Sequence, residues 1–307
     1  MRVTVTGGAG FIGSHLLEHL QLQGCQVQVI DDLSTGLRSR IPAGVEWLEA
    51  CITSPQAAQA VSQFAPQLLI HLAAQIDLRL SLDMPAEDAR INVAGTVAML
   101  EAARLGGALK RMVLASSAAV YGLQQTHAAA ESHSLAPLSA YGAAKLAAEL
   151  YLGQFQRLHG LSTISLRFAN VYGPGQSPKG EAGVISIFAK RLAAGKPLNI
   201  FGDGEATRDY LYVSDVVAGL WAAARHPEVL GAVNLGTGVQ TSVNELVVAL
   251  QSSAQKTTEV RHEDARLGEV AHSLLDAGLA HSSLGWKAQV PLSAGLLKTW
   301  SAMTTKG

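Results

Sequence analysis

The 307 residues hold 23 lysines and arginines against 24 aspartates and glutamates, a formal charge of −1, with 48% apolar and 15% charged residues. That balance permits a sizeable buried core and argues against wholesale disorder, and without a basic run there is no electrostatic footprint for nucleic acid or a membrane surface. Cys25 and Cys51 have neither CxxC spacing nor a His/Cys cluster beside them, so no metal site is expected and a reducing compartment suits them.

The chain opens on the strand-like Arg2–Thr6 without a basic and apolar leader pattern, and no apolar run approaches the ~20 residues of a membrane-spanning helix. The expectation is a cytoplasmic protein with no nucleic-acid or membrane partner. The spacing predicts further strands over Gln26–Ile30, Val45–Glu49, Leu68–Ala73, Arg111–Ser116 and Thr163–Phe168. Between them it predicts helices over Phe11–Gln23, Pro55–Phe64, Pro85–Leu105 and Gly142–His159. Such alternation, with several strands almost wholly apolar, implies a parallel sheet covered on both faces. After Phe168 the texture changes. Asn170–Gly183 and Phe201–Asp209 read as loops, and shorter elements follow at Val213–Arg225, Ala232–Leu235 and Ser242–Gln251. The expected fold class is α/β, a Rossmann-type doubly wound parallel sheet over residues 1–168. A smaller C-terminal α/β substrate-binding domain is expected over 169–307, interleaved with the first.

Gly7, Gly10 and Gly13 follow the first strand and open the first helix. In that position the first glycine permits the turn, the second lets a pyrophosphate approach the backbone, and the third lets helix pack on strand. A glycine triplet alone fits any strand–helix turn. Asp31, about 20 residues on at the end of the second strand, adds an acceptor for ribose hydroxyls. Its charge would repel a 2′-phosphate, which favours NAD over NADP. Arg38 and Arg40, beyond the turn at Ser34–Gly36, read as surface charges.

Tyr141 and Lys145 stand at i and i+4, so a phenol and an ammonium share one helix face. A lysine cation beside a tyrosine stabilises the phenolate and makes it usable as a base. Ser116-Ser117 ends the preceding strand, at the edge where open α/β sheets hold ligands. A surface Tyr–Lys pair and a serine capping backbone are the plain alternatives for these residues.

Together the motifs resemble the extended short-chain dehydrogenase/reductases of the NAD-dependent epimerase/dehydratase family, most closely the UDP-galactose 4-epimerase branch. The resemblance runs through the glycine motif and Asp31, His71–Gln75, Asn92–Thr96, Ser116–Gly122, Tyr141/Lys145, Arg167–Pro174, Arg208–Tyr210, Asn234–Gly236 and Leu284–Trp286. It implies that Ser117, Tyr141 and Lys145 are catalytic. It implies an NAD site bordered by Gly7, Gly10, Phe11, Ile12, Gly13, Asp31, Asp32, Ala73, Ala74, Gln75, Asn92, Tyr141 and Lys145. Ser117, Asn170, Arg208, Arg266 and Ser273 would contact a nucleotide-sugar substrate, and a homodimer would form through the helices around Pro85–Leu105 and Gly142–His159.

By the same resemblance, transient oxidation to a 4-keto sugar, rotation and re-reduction would invert carbon 4, while Ser273 would leave room for an N-acetyl group. Two departures bear on this. Dehydratases of the family carry Asp-Glu where this chain has Ala118-Ala119, and decarboxylating relatives also expect an acid there. Cys51 stands where the family often has an aspartate that reaches adenine, and a thiol is a weak acceptor. A ketoreductase or dehydrogenase with exchangeable cofactor is the alternative on this fold, and a non-catalytic NAD-binding protein a further one.

Overall fold

The computed structural model describes residues 1–123, 128–177, 183–265 and 270–304. In its first half, β1 (Arg2–Thr6), α1 (Phe11–Leu22), β2 (Gln26–Asp31), β3 (Glu46–Glu49), α2 (Pro55–Phe64) and β4 (Leu68–His71) alternate as strand and helix. Two short helices follow, α3 (Leu78–Asp83) and α4 (Pro85–Ala89), then a π-helical turn over Arg90–Gly95 and α5 (Thr96–Leu105). Next come β5 (Arg111–Ser117), α6 (Ala140–His159) and β6 (Ser162–Phe168).

The second half contains β7 (Asn170–Tyr172), α7 (Val184–Ala193), β8 (Leu198–Phe201), β9 (Thr207–Tyr212), α8 (Val213–Arg225) and β10 (Gly231–Leu235). It ends with β11 (Gln240–Ser242), α9 (Val243–Ala254), β12 (Val260–Glu263), β13 (His272–Ser273), α10 (Gly278–Leu284) and α11 (Leu292–Thr304).

Seven parallel strands form the main sheet in the order β10-β6-β5-β4-β1-β2-β3. The order reverses between β1 and β4, so a crevice opens at their carboxyl ends, where Thr6 and His71 are register partners. Apolar clusters fill both faces. Val3, Val5, Leu16, Leu17 and Leu20 belong to one, and Ile30, Leu69, Leu100, Met112 and Leu114 to the other. Cover on both sides is why these strands are buried at nearly every position, Thr4, Thr6, Ser165 and Arg167 included. The seventh strand, β10, comes from beyond residue 168 and pairs with β6.

A smaller layer lies over the carboxyl edge. In it β9 pairs antiparallel with β11 and parallel with β13 and β7, while β8 pairs with β12. Its core gathers Phe188, Leu192, Leu198, Leu246, Leu250 and Leu296 around Tyr172, which meets Tyr210 and Tyr212 edge-on at ring-centroid distances of 6.4 and 5.5 Å. Asn170–Gly183 and Phe201–Asp209 therefore hold β7 and the first half of β9, where the sequence suggests only loops. Pairing with neighbours remote in sequence makes these short segments strands. Among the described residues no helix is long and apolar enough to cross a membrane.

The helix expected over Pro85–Leu105 is not continuous. A π turn at Arg90–Gly95 widens it by one residue between α4 and α5. Gly95 lies so close to the segment after β3 that a Cβ there would meet Ile52 Cδ1 at 2.7 Å. The helix passes the sheet edge at that point, and the wider turn carries Asn92 inward.

Candidate active site

At the crevice, Gly7 adopts φ +72° and its Cα lies against β4's exit, where an added Cβ would meet Ala73 N at 2.7 Å. A Cβ on Gly13 would run into Gly7 O and approach Gly8 Cα at 2.7 Å, so α1 packs on the loop only because residue 13 is glycine. The N-cap of α1 is Gly10, which has no side chain to satisfy the first N–H groups, including those of Phe11, Ile12 and Gly13. A cradle of free N–H groups at a positive helix end is suited to a pyrophosphate.

Asp31 is buried at the end of β2 and accepts from Ala9 N and Leu33 N, both at 2.9 Å. It thus ties the glycine loop to the loop after β2. Burial raises its pKa, against the lowering effect of those two backbone bonds. The neighbouring Asp32 is exposed and holds Ser34 N at 3.0 Å and Ser34 Oγ at 2.6 Å. Arg38 stacks over Trp47 at 4.3 Å, and Arg40 donates to Gly175 O at 2.5 Å, so both guanidiniums near the Asp31 loop are engaged. Cys51 lies beyond β3, its Sγ 3.2 Å from Thr53 Oγ1.

The segment after β4 is held from beneath. Ala73 N donates to Thr6 Oγ1 at 3.3 Å, Gln75 N to Asn92 Oδ1 at 2.9 Å, and Asn92 Nδ2 to Gln75 O at 2.9 Å. Ala74 lies between those anchored residues. His71, wholly buried, bridges Thr6 Oγ1 at 2.8 Å and Thr96 Oγ1 at 3.0 Å. The Thr96 hydroxyl spends its one proton on Asn92 O at 2.7 Å, so it accepts from His71 Nε2–H and leaves Nδ1 to accept from Thr6. The ring is neutral. Burial first, then the Lys145 charge, lowers its pKa to about 3.

Ser117 ends β5 and accepts from Ala119 N at 3.1 Å, and its hydroxyl is near enough to the Tyr141 phenol to lower its pKa. Ser139 caps α6 by accepting from Gly142 N at 3.0 Å, which starts the helix at Ala140, two residues before the sequence suggests. Tyr141 therefore sits in the first turn and Lys145 one turn later. Lys145 Nζ donates to Ala115 O at 2.9 Å and lies 5.7 Å from the Tyr141 ring centre. Burial pushes Tyr141 up to about 12, opposed by the Ser117 hydrogen bond. It pulls Lys145 down to about 8, opposed by the charges of Asp88 and Glu149.

Glu149, one turn further along α6, accepts from Ser116 Oγ at 2.5 Å and is gripped by Arg167 at 2.7 and 3.1 Å. Arg167 also donates to Tyr121 Oη at 2.9 Å, and that hydroxyl donates to Asn234 Oδ1 at 2.7 Å. The Arg167, Tyr121 and Asn234 motifs are thus one buried network that joins β5, β6 and β10 behind Ser117.

On the smaller layer, Arg208 is register partner to Ser273, and Tyr210 to Asn170. Alternation along β9 puts Asn170, Arg208 and Ser273 on one face of that sheet. Arg208 donates to Thr207 O at 2.8 Å and Ala271 O at 3.3 Å. The adjacent Asp209 points the other way and clamps Thr237 through its N–H at 2.9 Å and its hydroxyl at 2.6 Å. Arg266 lies outside the described residues. Sequence reasoning assigns no role to Asp88, Glu149 or Asp209. Asp209 lies within the Arg208–Tyr210 motif, and Glu149 stands four residues after Lys145 on the Tyr141 face; Asp88 left no signal.

A family model, described as the NAD dependent epimerase/dehydratase family, matches residues 3–236. The chain belongs to that family. It is 40% identical to a UDP-glucose 4-epimerase of Mycolicibacterium smegmatis over 304 residues, covering 97% of each chain. The structure superposes on the UDP-glucose 4-epimerase of Thermotoga maritima with UDP-glucose at a TM-score of 0.95, with 37% identity and 100% and 99% coverage of the two chains. It matches the Thermus thermophilus UDP-glucose 4-epimerase in complex with NAD at 0.93, with 37% identity and 99% coverage of both. The family is NAD-dependent, and the cradle at Gly7, Gly10 and Gly13 with buried Asp31 beside it fits that dinucleotide.

Proposed function

We propose that this protein is an NAD-dependent nucleotide-sugar 4-epimerase, working on the UDP-glucose/UDP-galactose pair and on the corresponding N-acetyl pair. The observation that carries this is the meeting of Ser117, Tyr141 and Lys145 at the carboxyl edge of the sheet, beside the glycine cradle. NAD, when bound, supplies the hydride acceptor for carbon 4. Tyr141 takes the proton of the 4-hydroxyl, Ser117 bridges that oxygen and the phenol, and Lys145 supplies positive charge beneath the ring. After the 4-keto sugar has turned, Tyr141 returns the proton. Only the nucleotide and diphosphate need a firm grip, which we assign to Asn170, Arg208 and Arg266. Gln75 and Asn92 would help hold a bound NAD from the β4 side, and Asp31 and Asp32 would take its ribose hydroxyls.

Ala118-Ala119 offers no acid for eliminating water, which favours epimerisation over dehydration. We take residues 1–168 as the cofactor-binding domain and 169–307 as the substrate-binding domain, with β10 lent back to the main sheet. We also propose a homodimer formed through α5 and α6. The test is a panel of UDP-, dTDP- and GDP-sugars followed by product chromatography, with the purified protein's NAD content measured. Inversion at carbon 4 without net NADH is the expected result. Stoichiometric NADH and an oxidised product would make it a dehydrogenase.

A further inference from the structure

Asp88 has no part in the proposed chemistry, yet it is an acid only 1% exposed; burial raises its pKa, while hydrogen bonds from Asn92 and Gln75 and the Lys145 charge hold it down as a carboxylate. Its Oδ1 accepts from Gln75 Nε2 at 2.9 Å and Asn92 Nδ2 at 3.0 Å. Its Oδ2 is equally buried and, among the described residues, has no hydrogen-bond partner. A buried carboxylate oxygen left bare is costly unless a positive charge nearby offsets it. α4 packs against α6, and the Asp88 charge acts on both Lys145 and Tyr141.

The other titratable groups around Lys145 are already matched. On α6, Glu149 is held in a two-bond pair by Arg167 of β6. On β4, His71 is neutral, with both ring nitrogens committed to threonines. Tyr141 is a neutral phenol, its pKa pushed up to about 12 by burial. Among the described residues, Asp88 remains as the anion with a bare oxygen whose charge acts on the lysine.

We propose that Asp88 is a positioning residue that keeps Lys145 in its ammonium form and thereby sets the alkaline limit of turnover. Among the described residues Lys145 has one hydrogen-bond acceptor, Ala115 O, so the charges of Asp88 and, after it, Glu149 offset the loss of its hydration. The same carboxylate adds to the burial that keeps Tyr141 a neutral phenol. The hydrogen bonds from Gln75 and Asn92 fix where that negative charge sits, and so couple the cofactor-side loop to the catalytic pair.

The inference rests on the epimerase reading for its link to turnover, whereas the Asp88–Lys145 coupling can be read without activity. Lysine 13Cε NMR, with Lys145 assigned through its loss in Lys145→Arg, would be recorded against pH beside the kcat–pH profile. Asp88→Asn should move both the Lys145 titration and the alkaline limb of kcat down by at least about one unit, tenfold in the proton equilibrium. Asp88→Glu keeps the charge, so its limb should stay within about 0.3 unit, a twofold change, even if kcat falls. An unmoved lysine titration in Asp88→Asn overturns the proposal. If the asparagine variant does not fold, a glutamate variant whose limb drops by a full unit overturns it as well. A shifted titration in a protein that converts no nucleotide sugar supports the coupling and removes the epimerase reading instead.

Discussion

Burial drives Tyr141 and Lys145 in opposite directions, one toward the neutral phenol and the other toward the neutral amine. At pH 7 the chain on its own holds phenol and ammonium, so the base is formed only when further positive charge enters the pocket. Tyr141→Phe should therefore lower turnover by at least ~100-fold while nucleotide affinity changes little. Near-normal turnover in a folded variant would remove Tyr141 from the chemistry. Ser273→Tyr should suppress conversion of the N-acetyl pair and spare the plain hexoses, because added bulk beside Arg208 would meet the N-acetyl group first. Equal loss on both pairs would show that residue 273 is not the gate. His71 gives a pH dependence of stability. Its folded pKa, about 3, lies below the unfolded 6.5, so its contribution is complete above pH 6.5 and falls away as pH drops toward 3. Urea titrations between pH 7 and 4 should show a stability slope that His71→Gln reduces by about 1.4 kcal/mol per pH unit, one proton's worth. Parallel slopes would mean that the histidine takes up its proton in the folded state. That Ser117, Tyr141 and Lys145, the proposed catalytic trio, lie together was legible because a four-residue spacing and a strand end place them without knowledge of tertiary contacts. Asp88 was not, since its significance lies in burial against another helix, and an acid followed by alanine looks like any solvated position.

The elements that sequence patterning found are those whose pattern is imposed from both sides. β1, β4, β5 and β6 are buried almost throughout, polar positions included, because helices cover both faces of the sheet. β7, β11 and β13 have only two or three residues each, too few for any period, and exist because β9 offers them partners. The interruption at Arg90–Gly95 was likewise hidden, since a helical period persists on either side of one extra residue. At this scale the link between α6 and β6 is decisive. Glu149 and Arg167 are 8% and 4% exposed and close the strand ends behind Ser117. Glu149→Leu would leave a buried guanidinium whose one remaining hydrogen-bond partner among the described residues is Tyr121, at an expected cost of ~3–5 kcal/mol. Pairing it with Arg167→Met should recover much of that loss, because two apolar side chains desolvate no charge. Chemical denaturation of the two variants decides this. If the double variant is as unstable as the single one, the network's value lies in its geometry rather than in charge balance.

At the scale of the whole molecule, the helical layer that carries the site has two faces with different demands. Tyr141, Lys145 and Glu149 point α6 inward, and the opposite stripe leaves Leu150 66%, Tyr151 41% and Leu158 67% exposed. On the neighbouring α5, Leu105 is 63% exposed, and Ala94 in the turn before it is exposed as well. Apolar side chains gathered on two adjacent helices are seldom left to water, and small residues among them permit close helix approach. Two copies related by a twofold axis would bury both stripes in one interface. The expected result is a dimer in sedimentation at micromolar concentration. Leu150→Glu combined with Leu158→Glu should convert it to monomer by placing like charges across the axis. Because those side chains lie on the far side of α6 from Lys145, the monomer should keep its circular dichroism and its NAD content. Loss of NAD on dissociation would mean that the interface also braces α6 against the pocket. A wild-type monomer at that concentration would refute the assembly.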